Sequence, residues 1–278
     1  MEIVDAQIHI WNMTEDQWPG GIYVPAWARK GPFTESDALK GMDAAGVDRA
    51  IIVTAGFTGD NNDVPLAAAR RHPDRFAVMG RIPLRDPQSP GRLKNWMSQP
   101  GMLGVRLAFF TPEHEVEFRR GDLDWIWPIA QEAGVPLMIY PSPALLPAID
   151  TIAAHHPRLK MIIDHMAMTP DYSKKDEAAF EHMPLLMPLS RHSNVAVKAT
   201  NIPTHCAAPY PFRPMHAPLR KVVEAFGPER VFWGTDVTGL RCSWREAVTM
   251  VTEEMDFLSQ EDKTWIMGRG VRQWLNWT

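Results

Sequence analysis

Short runs of Val, Ile and other apolar residues recur along the chain, each followed by a polar loop and then by a stretch whose apolar positions recur at helical spacing. Eight such runs stand at Ile3 to His9, Ala50 to Thr54, Phe76 to Gly80, Gly104 to Ala108, Pro136 to Tyr140, Met161 to His165, Val195 to Thr200 and Val231 to Asp236. Helix stop signals precede several of them: Ala45-Gly46-Val47, His72-Pro73-Asp74, Ala133-Gly134-Val135, His156-Pro157-Arg158 and Phe226-Gly227-Pro228. Glycine supplies a left-handed cap there, and proline cannot continue a helix. Eight nearly continuous apolar strands alternating with helices predict an α/β fold, a closed parallel (β/α)8 TIM barrel forming one domain over residues 1–278. The open doubly wound alternative is weakened by the lack of a Gly-x-Gly-x-x-Gly turn after the first strand.

Composition narrows the function classes. With 45% hydrophobic and 22% charged residues in 278, the chain can bury a large core. A net charge of -4, with Lys and Arg scattered, offers no basic field, so no nucleic acid partner is expected. Cys206 and Cys242 lack the spacing of a thiolate zinc site or a disulfide framework and are expected as free thiols. The opening Glu2-Ile3-Val4-Asp5 has the character of a strand rather than a signal peptide, and no apolar run reaches the ~18 residues of a membrane span. The expected location is the cytoplasm, with no membrane partner.

Side chains at the C-terminal ends of barrel strands converge on one mouth. Those ends carry Gln7 and His9, two apart and so on one side of the first strand, then Thr54, Arg106, Tyr140, His165 and Asp236. Two connections exceed the usual loop length: Trp11 to Phe33, and Asn201 to Ala217 with His205, Tyr210, Arg213 and His216, the latter suited to gripping a substrate. His72 and the pair His155-His156 stand at helix ends on the opposite face, where a structural role is expected.

The segment Val4-Asp5-Ala6-Gln7-Ile8-His9-Ile10-Trp11 resembles the opening motif of the amidohydrolase superfamily, Asp-x-His-x-His, with Gln7 in place of the first histidine. Ile162-Ile163-Asp164-His165-Met166 resembles its strand-six histidine segment, and Gly227 to Asp236 its strand-eight aspartate segment. The order of these segments spans essentially the whole chain and is similar to the lactonase and decarboxylase branch, most of all to its 2-pyrone-4,6-dicarboxylate lactonases. Zinc members of the family use both first-strand histidines, commonly a strand-five histidine, the strand-six histidine and the strand-eight aspartate. Gln7 and Tyr140 occupy two of those places, and neither replaces imidazole well on zinc.

The resemblance therefore implies a metal-independent hydrolase with no cofactor. The metal-free lactonase of the branch is similar in having arginine on strand four and tyrosine on strand five, as Arg106 and Tyr140 stand here. The expected reaction opens a lactone or activated ester of a small, carboxylate-bearing substrate. Asp236 would be the general base, with His9, His165 and Tyr140 completing the catalytic set. Arg106, Gln7, Thr54, Arg213 and His205 would bind substrate. Two alternatives stand beside it: a zinc-dependent decarboxylase of an aromatic or muconate-like acid, with one zinc on His9, His165 and Asp236, and an inert barrel that binds a small anion. The resemblance also makes a homo-oligomer reasonable.

Overall fold

The computed structural model describes residues 1–14, 31–109 and 111–278. Its strands are β1 (Val4–Ile8), β2 (Arg49–Val53), β3 (Phe76–Gly80), β4 (Met102–Phe109), β5 (Leu137–Pro141), β6 (Met161–Ile163), β7 (Val195–Thr200) and β8 (Val231–Gly234). They lie in one sheet in sequence order, each neighbouring pair parallel. Helices connect and surround them, as the alternating pattern predicts, and the helix caps at Gly46 and Gly134 are left-handed, with φ of 76° and 65°.

The first and last strands meet through few backbone bonds. Asp236 N–H donates to the Gln7 carbonyl at 2.9 Å, and the rest of the seam is held by the Asp5 carboxylate. Asp5 Oδ1 accepts from Thr235 N at 2.9 Å and Gln7 N at 3.0 Å, while Oδ2 accepts from Thr235 Oγ1 at 2.5 Å and Trp244 Nε1 at 2.9 Å. Asp5 thus closes the barrel at the two strands that carry Gln7 and Asp236.

The barrel interior is graded in polarity. Val4, Ala6, Ile51, Val53, Ala77, Met79, Leu103, Met138, Ile162, Ala196 and Phe232 form one apolar cluster, which Val271, Leu275 and Trp277 join from the C-terminal segment. Above it the alternation is reset by two irregularities. Between Asp5 and Ile8 the register of β1 against β2 slips by one residue, so Ile8 joins the outer core while Gln7 and His9 turn inward. A second slip, between Met102 and Gly104 of β4, sends Val105 outward and Arg106 inward. Gly104 permits the close approach there, since a side chain would collide with the Pro136 carbonyl.

Strands β6 and β8 end two residues earlier than the sequence predicts, at Ile163 and Gly234. His165 and Asp236 instead adopt φ of 52°, as does Met166, while Ala167 and Asn201 reach 60° and 59°. Left-handed backbone costs a non-glycine residue roughly 1–2 kcal/mol, and such strain concentrates at functional sites. Trp11 and Phe33 are joined by an antiparallel bridge, with N–H···O distances of 2.8 and 3.1 Å. The rest of that connection, residues 15–30, lies outside the described residues, and with it most of the predicted long first loop. Among the described residues no helix is long and apolar enough to cross a membrane.

Candidate active site

The inward positions above the apolar layers are polar and interlocked. His9, just past β1, places Nδ1 2.7 Å from the Val53 carbonyl. A carbonyl only accepts, so Nδ1 carries a proton. His9 Nε2 then lies 3.2 Å from Asp236 Oδ1, a contact that is favourable when Nε2 is protonated as well, as an imidazolium facing a carboxylate. Burial alone would push the Asp236 carboxyl up, but the charge and hydrogen bond of His9, aided by His165 and Arg106, pull it down to about 2. Asp236 is therefore ionised across the neutral range.

Gln7 sits between the two histidines. Its Nε2 is 3.4 Å from both His9 Nε2 and His165 Nε2, and its Oε1 accepts from the ammonium of Lys198. His165 Nδ1 is 2.7 Å from Thr200 Oγ1, and burial lowers this imidazole to about 4 against the pull of Asp236 and Asp164, so it is neutral at pH 7. The Tyr140 ring meets the His165 ring edge-on at 4.7 Å, and the Arg106 guanidinium lies over the Tyr140 ring at 5.4 Å. Burial, reinforced by Tyr172, raises the Tyr140 phenol well above its ordinary value, leaving it a proton donor.

A buried carboxylate organises the cations. Asp164 Oδ1 is 2.9 Å from Lys198 Nζ, and Oδ2 is 3.2 Å from Arg106 Nε. Burial pushes Asp164 up, but Lys198 and Arg106 together outweigh it and hold the carboxyl below its usual range. Arg106 also lines a cavity of about 270 Å³ between the ends of β3 and β4, with Arg81, His114, Asp60 and Glu117.

The structure brings Gln7, His9, Arg106, Tyr140, His165 and Asp236 together. Three other predicted residues stand apart. Arg213 is not in the pocket: its side chain is 63% exposed and pairs with Glu254 at 3.1 Å. Thr54 is buried, but its hydroxyl donates to Asn62 Oδ1 at 2.7 Å, and Asn62 is held by the backbone of Arg81, so Thr54 ties the ends of β2 and β3 together. His205 packs against Tyr172 with ring centroids 5.0 Å apart, and burial lowers it to about 4. Sequence reasoning passed over Lys198, Asp164 and Thr200. A lysine inside Val-Ala-Val-Lys-Ala-Thr, at period two from Ala196 and Thr200 on the inward face, was the available signal.

The donor set suits a divalent cation poorly. The Gln7 oxygen, the only end of the amide with a lone pair to give, is occupied by Lys198, and its N–H groups face the histidine nitrogens. Among the described residues no three His, Cys, Asp or Glu side chains are grouped so that they could hold a metal ion.

The amidohydrolase family profile matches residues 4–269. An L-fucono-1,5-lactonase of Burkholderia ambifaria is 28% identical over 244 residues, 84% of this chain and 79% of that protein. A 4-sulfomuconolactone hydrolase of Hydrogenophaga intermedia is 29% identical over 218 residues, 74% of this chain and 64% of that protein. An amidohydrolase from Burkholderia multivorans, solved with bound zinc, superposes with a TM-score of 0.83 at 18% identity, covering 99% of each chain. With a family match over almost its full length and lactone hydrolases among its relatives, the chain belongs to the amidohydrolase family, as a lactonase-like hydrolase.

Proposed function

We propose that this protein hydrolyses a lactone or activated ester of a small carboxylate-bearing substrate without a metal ion, with Asp236 as general base. The observation that carries the reading is the His9–Asp236 pair, a buried carboxylate held ionised with an imidazole nitrogen 3.2 Å away at the mouth of the barrel. Asp236 takes a proton from the attacking water as the water oxygen bonds to the carbonyl carbon. Negative charge developing on the carbonyl oxygen is met by the Tyr140 hydroxyl, which burial keeps protonated, by the Gln7 amide and by the His9 ring beside them. Cleavage of the ring C–O bond then returns the proton from Asp236 to the leaving oxygen.

The ion pair also limits the chemistry. A carboxyl pulled down to about 2 is a weak base, which confines turnover to carbonyls with good leaving groups, such as enol or aryl lactones. Arg106 suits a substrate carboxylate, because it lines the cavity between β3 and β4 and, with Asp164 on its Nε, keeps further N–H donors on its fork. The relatives named for lactone hydrolysis support the reaction class.

A second reading places one zinc ion on His9, His165 and Asp236, for hydrolysis or for decarboxylation. It is motivated by the His9–Asp236 contact, by His165 on the other side of Gln7, and by the zinc bound in the similar amidohydrolase from B. multivorans. Elemental analysis of the purified protein, with lactones, aryl esters and aromatic acids assayed with and without chelator, separates the two. We expect chelator-resistant lactone opening, and a loss of about 10² to 10⁴-fold in kcat for Asp236→Asn. Stoichiometric zinc with chelator-sensitive turnover would overturn the proposal, as would an Asp236→Asn protein that keeps its rate.

A further inference from the structure

We propose that Lys198 is the resident cation of this site, and that by holding Gln7 through its amide oxygen it makes the centre refuse a divalent metal ion. The inference rests on the metal-free reading above and extends it to a named cause. Lys198 lies on β7 with no exposed surface, among Gln7, Asp164 and Met138, whose sulfur is 3.4 Å from the ammonium. An ammonium only donates, so it fixes which end of the Gln7 amide faces it. The other end, a pair of N–H donors, faces the Nε2 atoms of His9 and His165, each at 3.4 Å.

The consequence is geometric and electrostatic at once. The histidine Nε2 atoms that could bind a cation face amide hydrogens instead, and a fixed positive charge stands directly behind the amide. Replacing Gln7 by histidine restores a ligand but leaves that charge in place. Replacing Lys198 by methionine removes the charge but leaves an amide. Gln7 and Lys198 therefore act as one unit, and the claim is a coupling between them: neither change alone should create a metal site, whereas both together should. Met138 beside the ammonium already shows that this layer accommodates a thioether.

The test is metal affinity, read without reference to turnover. Zinc binding to the wild type, Gln7→His, Lys198→Met and the double variant is measured by competition with a chromophoric chelator. The visible spectrum of added cobalt reports whether the site is tetrahedral. We expect the double variant to bind zinc on the order of 100-fold more tightly than either single variant, the scale on which supporting residues tune metal affinity. Should the double variant fail to fold because Asp164 has lost a partner, adding Asp164→Asn removes the ion pair as a unit and carries the same expectation.

A folded double or triple variant that binds zinc no better than the wild type overturns the proposal. So does Gln7→His alone binding as tightly as the double variant, since Lys198 would then guard nothing. Tight stoichiometric zinc in the wild type would instead sink the metal-free reading itself, an outcome distinct from either.

Discussion

Asp5 offers a test of how the barrel seam is held, and its sign is opposite to that of most carboxylates. The group is fully buried and accepts four hydrogen bonds, yet burial outweighs them and raises its pKa from 3.8 to about 6. The folded protein therefore binds this proton more tightly than the unfolded chain does, and Asp5 contributes stability that is fully present below pH 3.8 and is lost as pH rises through 6. A pKa displacement of about 2 corresponds to about 3 kcal/mol, of which about 1.3 kcal/mol is gained between pH 7 and pH 5. Two buried histidines work against it. His165 and His205 are lowered from 6.5 to about 4, so acidification through that window favours the unfolded chain, and the wild-type profile alone mixes the terms. Asp5→Asn isolates the carboxylate. One amide oxygen can still accept from Gln7 and Thr235, but Trp244 Nε1 loses its acceptor, a cost of about 1–3 kcal/mol at neutral pH. Urea unfolding of both proteins at pH 5, 6 and 7 should show the wild-type advantage growing on acidification by about 1.3 kcal/mol between pH 7 and 5. An advantage that is flat, or that shrinks in acid, would refute an Asp5 that is strained by its own charge.

Arg106→Lys keeps the charge but removes the planar fork and should lower kcat/KM for carboxylate-bearing lactones by about 10 to 100-fold, sparing neutral ones. Equal loss on both substrate types would mean that Arg106 supports the site only through Asp164. Arg213→Ala should leave kcat/KM unchanged and stability within about 0.5 kcal/mol, because its exposed pair with Glu254 is screened by solvent; a rise in KM would return Arg213 to the pocket.

The fold was legible because each strand announces itself by composition, and because Gly and Pro mark where helices stop. Which way a side chain points was legible only in part. Gln7 and His9 share a face because both lie beyond the slip in β1, so counting by two from Gln7 succeeds, whereas counting from Val4 would turn both outward. The slip depends on pairing with β2, some forty-five residues away, and leaves no local mark. Arg213 stands apart for a related reason: a cation in a long loop after a barrel strand has the right address, but its partner Glu254 lies past β8 and the helix that follows it and cannot be paired with it from sequence. Lys198 does leave a mark in the sequence, since a lysine inside a buried strand requires a buried partner, but that partner, Asp164, lies just past the end of another strand, β6.

The charges of the site balance in a way that fits one kind of ligand. Around Asp164 two cations, Lys198 and Arg106, face one carboxylate, which neutralises one of them. One positive charge is left over. Lys198 is sealed from solvent, while Arg106 lines the cavity between β3 and β4, so the surplus lies on the Arg106 side. A substrate carboxylate on this side of the site would cancel that charge. The same replacement of imidazole by amide that weakens the ligand set gives Lys198 an acceptor. On the reading proposed above, weak metal affinity and preference for an anion would be two consequences of one buried ammonium.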